Sequence, residues 1–263
     1  MDTIITMIVS YKNFLIKERI PNTKNHFSTG IPVPSITRIS SHFLDFFLPV
    51  RCITCSSPLQ THQIPVCAVC LNTIEKVDLE EAENHLEKTN SSEIPINSVY
   101  SHWYFDHAGT LQKLHQHLKY GNRPSYGFAL GTLMGHGLKA HYPAAPPLLI
   151  PIPLYKRRFL ERGYNQSALL AKGIAEAIGG SLTEDVLIRK RSTRSQTGLS
   201  HNERQQNVAS AFSIKNPEYI TDKPILLIDD VMTTGATMLS AAKVLHEAGT
   251  GSIHLATLAF TRV

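Results

Sequence analysis

Residues 225–238 read ILLIDDVMTTGATM: an apolar run, then two adjacent carboxylates at Asp229 and Asp230, then a string of hydroxyl-bearing and small residues. Ionised carboxylates only accept hydrogen bonds. They repel a phosphate but suit sugar hydroxyls, either directly or beside a hydrated Mg2+. The residues after them supply the opposite chemistry. A helix that starts within TTGATM points its first backbone N–H groups outward without intrahelical partners. Small side chains at Gly235 and Ala236 let a phosphate approach those groups. Thr233, Thr234 and Thr237 add hydroxyl donors, and Gly235 permits an unusual backbone angle. An acceptor pair beside an anion cradle matches the two demands of a ribose 5-phosphate. The bland alternative is an ordinary strand-to-helix turn capped by threonine. Other phosphate and metal motifs fail: the sequence has no G-x-x-x-x-G-K-[ST], no G-x-G-x-x-G after a strand, and HEAGT lacks the second histidine of H-E-x-x-H.

All four cysteines fall within residues 52–70, as CITC and CAVC. Each C-x2-C turn sets two thiolates on one side of a tight loop. Cys52, Cys55, Cys67 and Cys70 together complete a tetrahedral S4 set of the kind zinc takes. Two disulfides or a redox pair are the alternatives; without a secretory context the disulfides are disfavoured. In so short a segment a structural Zn2+ would supply most of the folding free energy, on the order of 10–16 kcal/mol in zinc-finger peptides. His62, between the two pairs, reads as a solvated loop residue.

The chain of 263 residues carries a formal charge of +5, and 42% of it is apolar. Residues 156–204 hold ten Lys/Arg against five Asp/Glu, so the whole surplus sits in one stretch. It points to an anionic partner, either a small-molecule phosphate or nucleic acid, unless it is merely a solvated basic face. No apolar run reaches the roughly 18 residues of a membrane span. The apolar start, MDTIITMIV, is short and lacks a basic flank. The expectation is a soluble, cytoplasmic protein with no membrane insertion.

Strand-like and helix-like segments alternate from residue 98 onward. SVYSHWYF, LLIPIP, DVLIRK, ILLID and SIHLATLAF read as strands. The segments DHAGTLQKLHQHLKYG, PSYGFALGTLMGHGLKA, NQSALLAKGIAEAIGG and ATMLSAAKVLHEAG read as helices. That alternation favours an α/β fold with a mostly parallel sheet, and ligands bind at the carboxyl ends of such strands. The expected organisation is a disordered tail over 1–40, a zinc module over 41–75, a linker or exposed helix over 76–97, and the α/β domain over 98–263. His115 and His117 point to different faces of their helix and read as solvated. Residues 189–207 are polar and basic and fit either a mobile loop closing over a ligand or an exposed hairpin.

The DD-x-x-TTGAT stretch resembles the signature of type I phosphoribosyltransferases. Together with the cysteine pairs, LKYGNR, PIPLYKRRFLERGYNQSALLA and IRKRSTRSQTGLSHNERQQNVASAF, it is similar to the ComF/GntX family over residues 52–260. The resemblance implies a parallel-sheet type I phosphoribosyltransferase-like domain behind a four-cysteine zinc module. It implies binding of 5-phosphoribosyl diphosphate with Mg2+, and a role in DNA uptake during natural transformation. Single-stranded DNA and a helicase-like competence ATPase would be partners. The alternative is an active transferase acting on an unknown base or amine. On this resemblance Asp229 and Asp230 hold ribose, and Thr233, Thr234, Gly235, Ala236 and Thr237 hold the 5-phosphate. Pro153, Lys156 and Arg162 belong to the diphosphate loop, with Arg157 and Arg158 beside them. Thr193, Gln196, Arg204 and Asn207 belong to a flexible loop.

Overall fold

A computed structural model describes residues 50–59, 64–90, 94–121, 123–141, 147–190 and 211–262. The helices and strands follow in chain order: α1 (Ala68–Asn72), α2 (Leu79–Thr89), β1 (Ser98–Tyr104), α3 (Thr110–Tyr120), α4 (Pro124–Leu138), β2 (Leu148–Pro151), α5 (Lys156–Arg162), α6 (Gln166–Ile178), β3 (Ser181–Leu182), β4 (Leu187–Arg189), β5 (Phe212–Ile214), β6 (Ile225–Met232), α7 (Ala236–Glu247) and β7 (Ile253–Phe260). Five strands form one sheet in the order β1-β7-β6-β2-β3, every pairing parallel.

The strand β6 is central because both of its faces are apolar. Ile225, Leu226, Leu227 and Ile228 are all fully buried. Successive side chains of a strand alternate between faces. Leu226 and Ile228 accordingly join the core that contains α3, α4 and α6, while Ile225 and Leu227 join the core that contains α2 and α7. Burying each such side chain contributes roughly 1.5–3 kcal/mol. The two helices α4 and α6 approach closely through glycines: a Cβ on Gly131 would lie 2.1 Å from the Leu170 carbonyl oxygen. The glycines of PSYGFALGTLMGHG therefore mark a contact face.

Three features differ from or sharpen the expectation. Residues 79–89 form α2, capped by Asp78, whose side chain accepts from Glu80 N, and Ala82 and Leu86 are buried against the sheet. Of the two readings of residues 76–97 the helix forms, and one face of it is packed rather than exposed. Cys52, Val66, Cys70 and Ile74 share one core with Trp103 and Leu111, so the cysteine segment is joined to the sheet by burial as well as by chain. In addition, β4 lies off the main sheet and pairs antiparallel with β5 in a separate ribbon.

Candidate functional site

The four cysteines gather at the edge of this core. Their sulfur atoms all lie within 4.8 Å of one another, and none is in a disulfide. The Cys55 and Cys67 sulfurs are 3.7 Å apart. Ligand sulfurs around a tetrahedral zinc sit roughly 3.8 Å apart, given Zn–S bonds of about 2.3 Å. Burial raises the Cys52 thiol, but backbone donors at Cys55, Cys67 and Thr54 outweigh it and bring the pKa down to about 6. One of these donors, Cys67 N, reaches the Cys52 sulfur at 3.4 Å. The geometry fits a metal held by four thiolates.

The second cluster lies at the carboxyl ends of β1, β7, β6 and β2, around a cavity of about 440 Å3. Asp229 and Asp230 lie in the second half of β6, which runs on to Met232. Asp229 Oδ1 accepts from Ser167 Oγ and from the Asp230 backbone N, each at 2.9 Å. Asp230 Oδ2 accepts from His115 Nε2 at 2.9 Å and pairs with Lys119 Nζ at 3.3 Å. The two carboxyls are therefore unlike. Burial, then the charge of Asp230, pushes Asp229 up to about 7. Burial also acts on Asp230, but the His115 hydrogen bond and Lys119 outweigh it and hold the group well below the usual carboxylate range.

Downstream of the carboxylates, Gly235 takes φ +74 and caps α7, which begins at Ala236. That positive φ is one glycine tolerates without a Cβ penalty. Thr233 and Thr237 line the cavity; Thr234 is exposed beside them. The loop is braced from behind by α2. His85 Nε2 donates to the Thr233 carbonyl oxygen at 2.9 Å, and a Cβ at Gly235 would fall 2.4 Å from Leu86 Cδ1.

Across the cavity, the chain leaves β2 through residues 152–155 and enters α5, none of whose residues is buried. Ile152, Leu154, Arg158 and Arg162 line the cavity, whereas Pro153 and Lys156 do not. Lys156 is exposed on α5, and Arg157 pairs with Glu161 at 2.9 Å in the open. Arg162 donates to Gln166 Oε1 at 3.0 Å and lies 5.5 Å from the Tyr120 ring. Asn165 caps α6 by accepting from Ser167 N. Thr193, Gln196, Arg204 and Asn207 lie outside the described residues.

Sequence reasoning missed several residues of this cleft. His115 is not solvated: it faces Asp230, and the Phe105 ring stands edge-on to it at 5.5 Å. Lys119, Ser167, Gln166 and Arg189 also line the cavity. Lys119 and His115 are four residues apart on one helix, a spacing that puts two side chains on one face; that was the readable signal. The brace by His85 had none, because it spans 148 positions.

A family profile described as a phosphoribosyl transferase domain matches residues 165–262. The DNA utilization protein YhgH of Shigella flexneri is 26% identical over 219 residues, covering 79% of this chain and 96% of that protein. Competence protein F of Haemophilus influenzae is 33% identical over 118 residues, 44% of this chain and 52% of that one. Competence protein ComFC of Streptococcus pneumoniae is 39% identical over 100 residues, 38% of this chain and 42% of that one. Among solved structures, the allosteric regulatory enzyme of purine biosynthesis aligns at 21% identity with a TM-score of 0.36, over 54% of this chain and 29% of that one. One relative matches this chain over 79% of its length and the two competence proteins over 44% and 38%; the chain is thus similar to ComF-type proteins, with a four-cysteine segment joined to a parallel-sheet, phosphoribosyltransferase-like domain.

Proposed function

We propose that this protein binds 5-phosphoribosyl diphosphate with Mg2+ in the cleft above β6, and that it serves DNA uptake in the cytoplasm. One observation carries the reading. A single strand-to-helix junction joins Asp229 and Asp230 to the Gly235-led start of α7, and Arg158 and Arg162 face it across the cavity. The backbone of the junction suits a 5-phosphate at a helix N-terminus. The carboxyls suit ribose hydroxyls, and with ordered water they would hold Mg2+. The guanidinium groups suit a diphosphate. Bound Mg2+ would offset the charge of that diphosphate as it leaves. The chain's own residues would orient the ribose, hold the leaving group and exclude water from C1. At the cysteines the ion that fits is Zn2+, in a structural role.

Support for the DNA role comes from the printed names of the relatives, which speak of DNA utilization and competence. The surplus charge over residues 156–204 would meet single-stranded DNA, and a helicase-like ATPase would act beside it. No helix among the described residues is long and apolar enough to cross a membrane. A second reading, transfer of phosphoribose to a base or amine, is favoured by the wall of rings from Phe105, His107 and His115 beside Asp230. The test is calorimetry with phosphoribosyl diphosphate, ribose 5-phosphate and inorganic phosphate, each with and without Mg2+. The reading requires the first to bind tightest and to gain from Mg2+; no heat with any of them refutes it. Release of diphosphate only when a candidate base is supplied would favour the second reading.

A further inference from the structure

Gln166, the first residue of α6, is 1% exposed and forms part of the cleft wall. Its amide has a defined orientation, because Oε1 accepts from Arg162 Nη1 at 3.0 Å. The other end, Nε2, is shielded from solvent and has no hydrogen-bond partner among the described residues. A buried amide donor left without an acceptor is costly, and native proteins keep few of them. The neighbours are committed elsewhere. Asn165 Nδ2 donates to the Ile152 carbonyl oxygen at 3.0 Å, and Ser167 Oγ donates to Asp229 at 2.9 Å. Methionine would fill the same volume at this position with no donor to satisfy. The donor is therefore held ready at a cost to the fold, in a wall that also carries Arg158 and Arg162. Two guanidinium groups beside a spare amide N–H call for an anionic oxygen.

We propose that Gln166 is a ligand-binding residue whose Nε2 donates to an oxygen of a diphosphate group. It thereby separates ligands that carry a diphosphate from those that end in a ribose 5-phosphate. The proposal rests on the phosphoribosyl reading above and adds to it the residue that recognises the leaving group. Arg162 acts on both sides of it, orienting the amide through Oε1 and adding charge.

The test uses the full-length protein, calorimetry and thermal melts. Ligands are phosphoribosyl diphosphate, inorganic diphosphate and ribose 5-phosphate, all with Mg2+. Gln166→Met removes the donor and keeps the bulk; Gln166→Glu keeps an acceptor for Arg162 but replaces the donor by an oxygen. Both variants are expected to bind the two diphosphate ligands about 5- to 30-fold more weakly. Ribose 5-phosphate should stay within about twofold of wild type. The melting temperature of Gln166→Met should stay close to that of the wild type, since the unsatisfied donor goes together with the acceptor for Arg162 Nη1. Unchanged diphosphate affinity in Gln166→Met would overturn the proposal, as would an equal loss for all three ligands. A wild-type protein that binds none of the three overturns the phosphoribosyl reading and this role together. Wild-type binding that the variants share overturns this role alone.

Discussion

Asp229 and Asp230 are adjacent and chemically identical in sequence, yet their surroundings shift their pKa values in opposite directions, and replacing each with asparagine should separate them. Asp229 is raised from 3.8 to about 7 by burial and by Asp230. A carboxyl with a raised folded pKa is neutral in the native state over a range where the unfolded chain is already ionised. Its favourable contribution is complete below the unfolded pKa and is lost as pH rises through the folded one, at about 1.36 kcal/mol per pH unit. Between pH 5 and the folded pKa, the wild type should lose roughly 2–3 kcal/mol that the Asp229→Asn variant keeps. The amide retains an oxygen for Ser167 Oγ and for Asp230 N, so the geometry survives. The variant should therefore gain on the wild type by roughly 5–10 °C between pH 5 and pH 8, at about 2–4 °C per kcal/mol for a chain of this size. Asp230 behaves the other way. Its pKa is depressed, despite burial, by His115 and Lys119, so its contribution is present above the unfolded pKa and is lost only in acid. Asp230→Asn should destabilise, and because it also removes the charge that helps hold Asp229 up, its gap to wild type should narrow, never widen, from pH 5 to 8. Thermal melts of the three proteins across that range decide the matter. A flat gap for Asp229→Asn, or a rising gap for Asp230→Asn in its place, would show that the proton of the pair has been put on the wrong carboxyl.

Four further outcomes follow. Purified reduced protein should hold about one zinc by elemental analysis. Cys52→Ser should lower the stability of the whole domain, because Cys52 shares a core with Trp103; a variant with an unchanged melt would show the cysteine segment to be independent. His85→Ala should weaken ribose 5-phosphate binding about fivefold, a hydrogen bond's worth, while His85→Gln, which keeps a donor for the Thr233 carbonyl, should restore most of it. Single-stranded DNA should bind without sequence preference and weaken steeply with salt, with Arg158→Ala lowering the slope of log affinity against log salt by about 0.7 if it meets one phosphate. Binding insensitive to salt would contradict a phosphate contact.

What could be read from the sequence was set by local rules. The apolar run of β6, its two acids and Gly235 are neighbours in the chain, and each obeys a constraint of its own: burial on both strand faces, charge at the solvent-facing strand end, and a positive φ at a helix start. The cap at Asn165 and the buried face of α3 through Leu111, Leu114 and Leu118 follow from helix chemistry of the same range. The residues that were not legible are those that act across the fold. His115 reads as a surface histidine until α3 is laid beside β6, 115 positions away. The stretch over 76–97 reads as a linker or an exposed helix because its charges outnumber its apolar residues. Only Ala82 and Leu86 need to be apolar for α2 to pack, and the outward face stays wet. Lys76 was likewise unremarkable by type, yet its Nζ lies 2.8 Å from His102 Nε2 beneath the Trp103 ring. There burial and the Lys76 charge push His102 down to about 3, so the imidazole is a neutral acceptor at physiological pH.

That long-range layer changes how the parts are coupled. The chain from Cys70 enters the core at Ile74, Glu75 clasps Arg262 beyond β7, and α2 then carries His85 to the loop that follows β6. A cysteine cluster and a threonine-rich loop that lie far apart in sequence are thus connected by one short stretch of backbone. Each contact along it is small, since an exposed pair such as Glu75 with Arg262 contributes about 0–1 kcal/mol. Their effect is on position: Leu86 fills the space a side chain at residue 235 would need, and His85 holds the Thr233 carbonyl. The loop is therefore braced by a helix that does not itself line the cavity. For that reason the fold keeps apolar residues in α2 on the sheet side alone and spends the rest of the helix on charge.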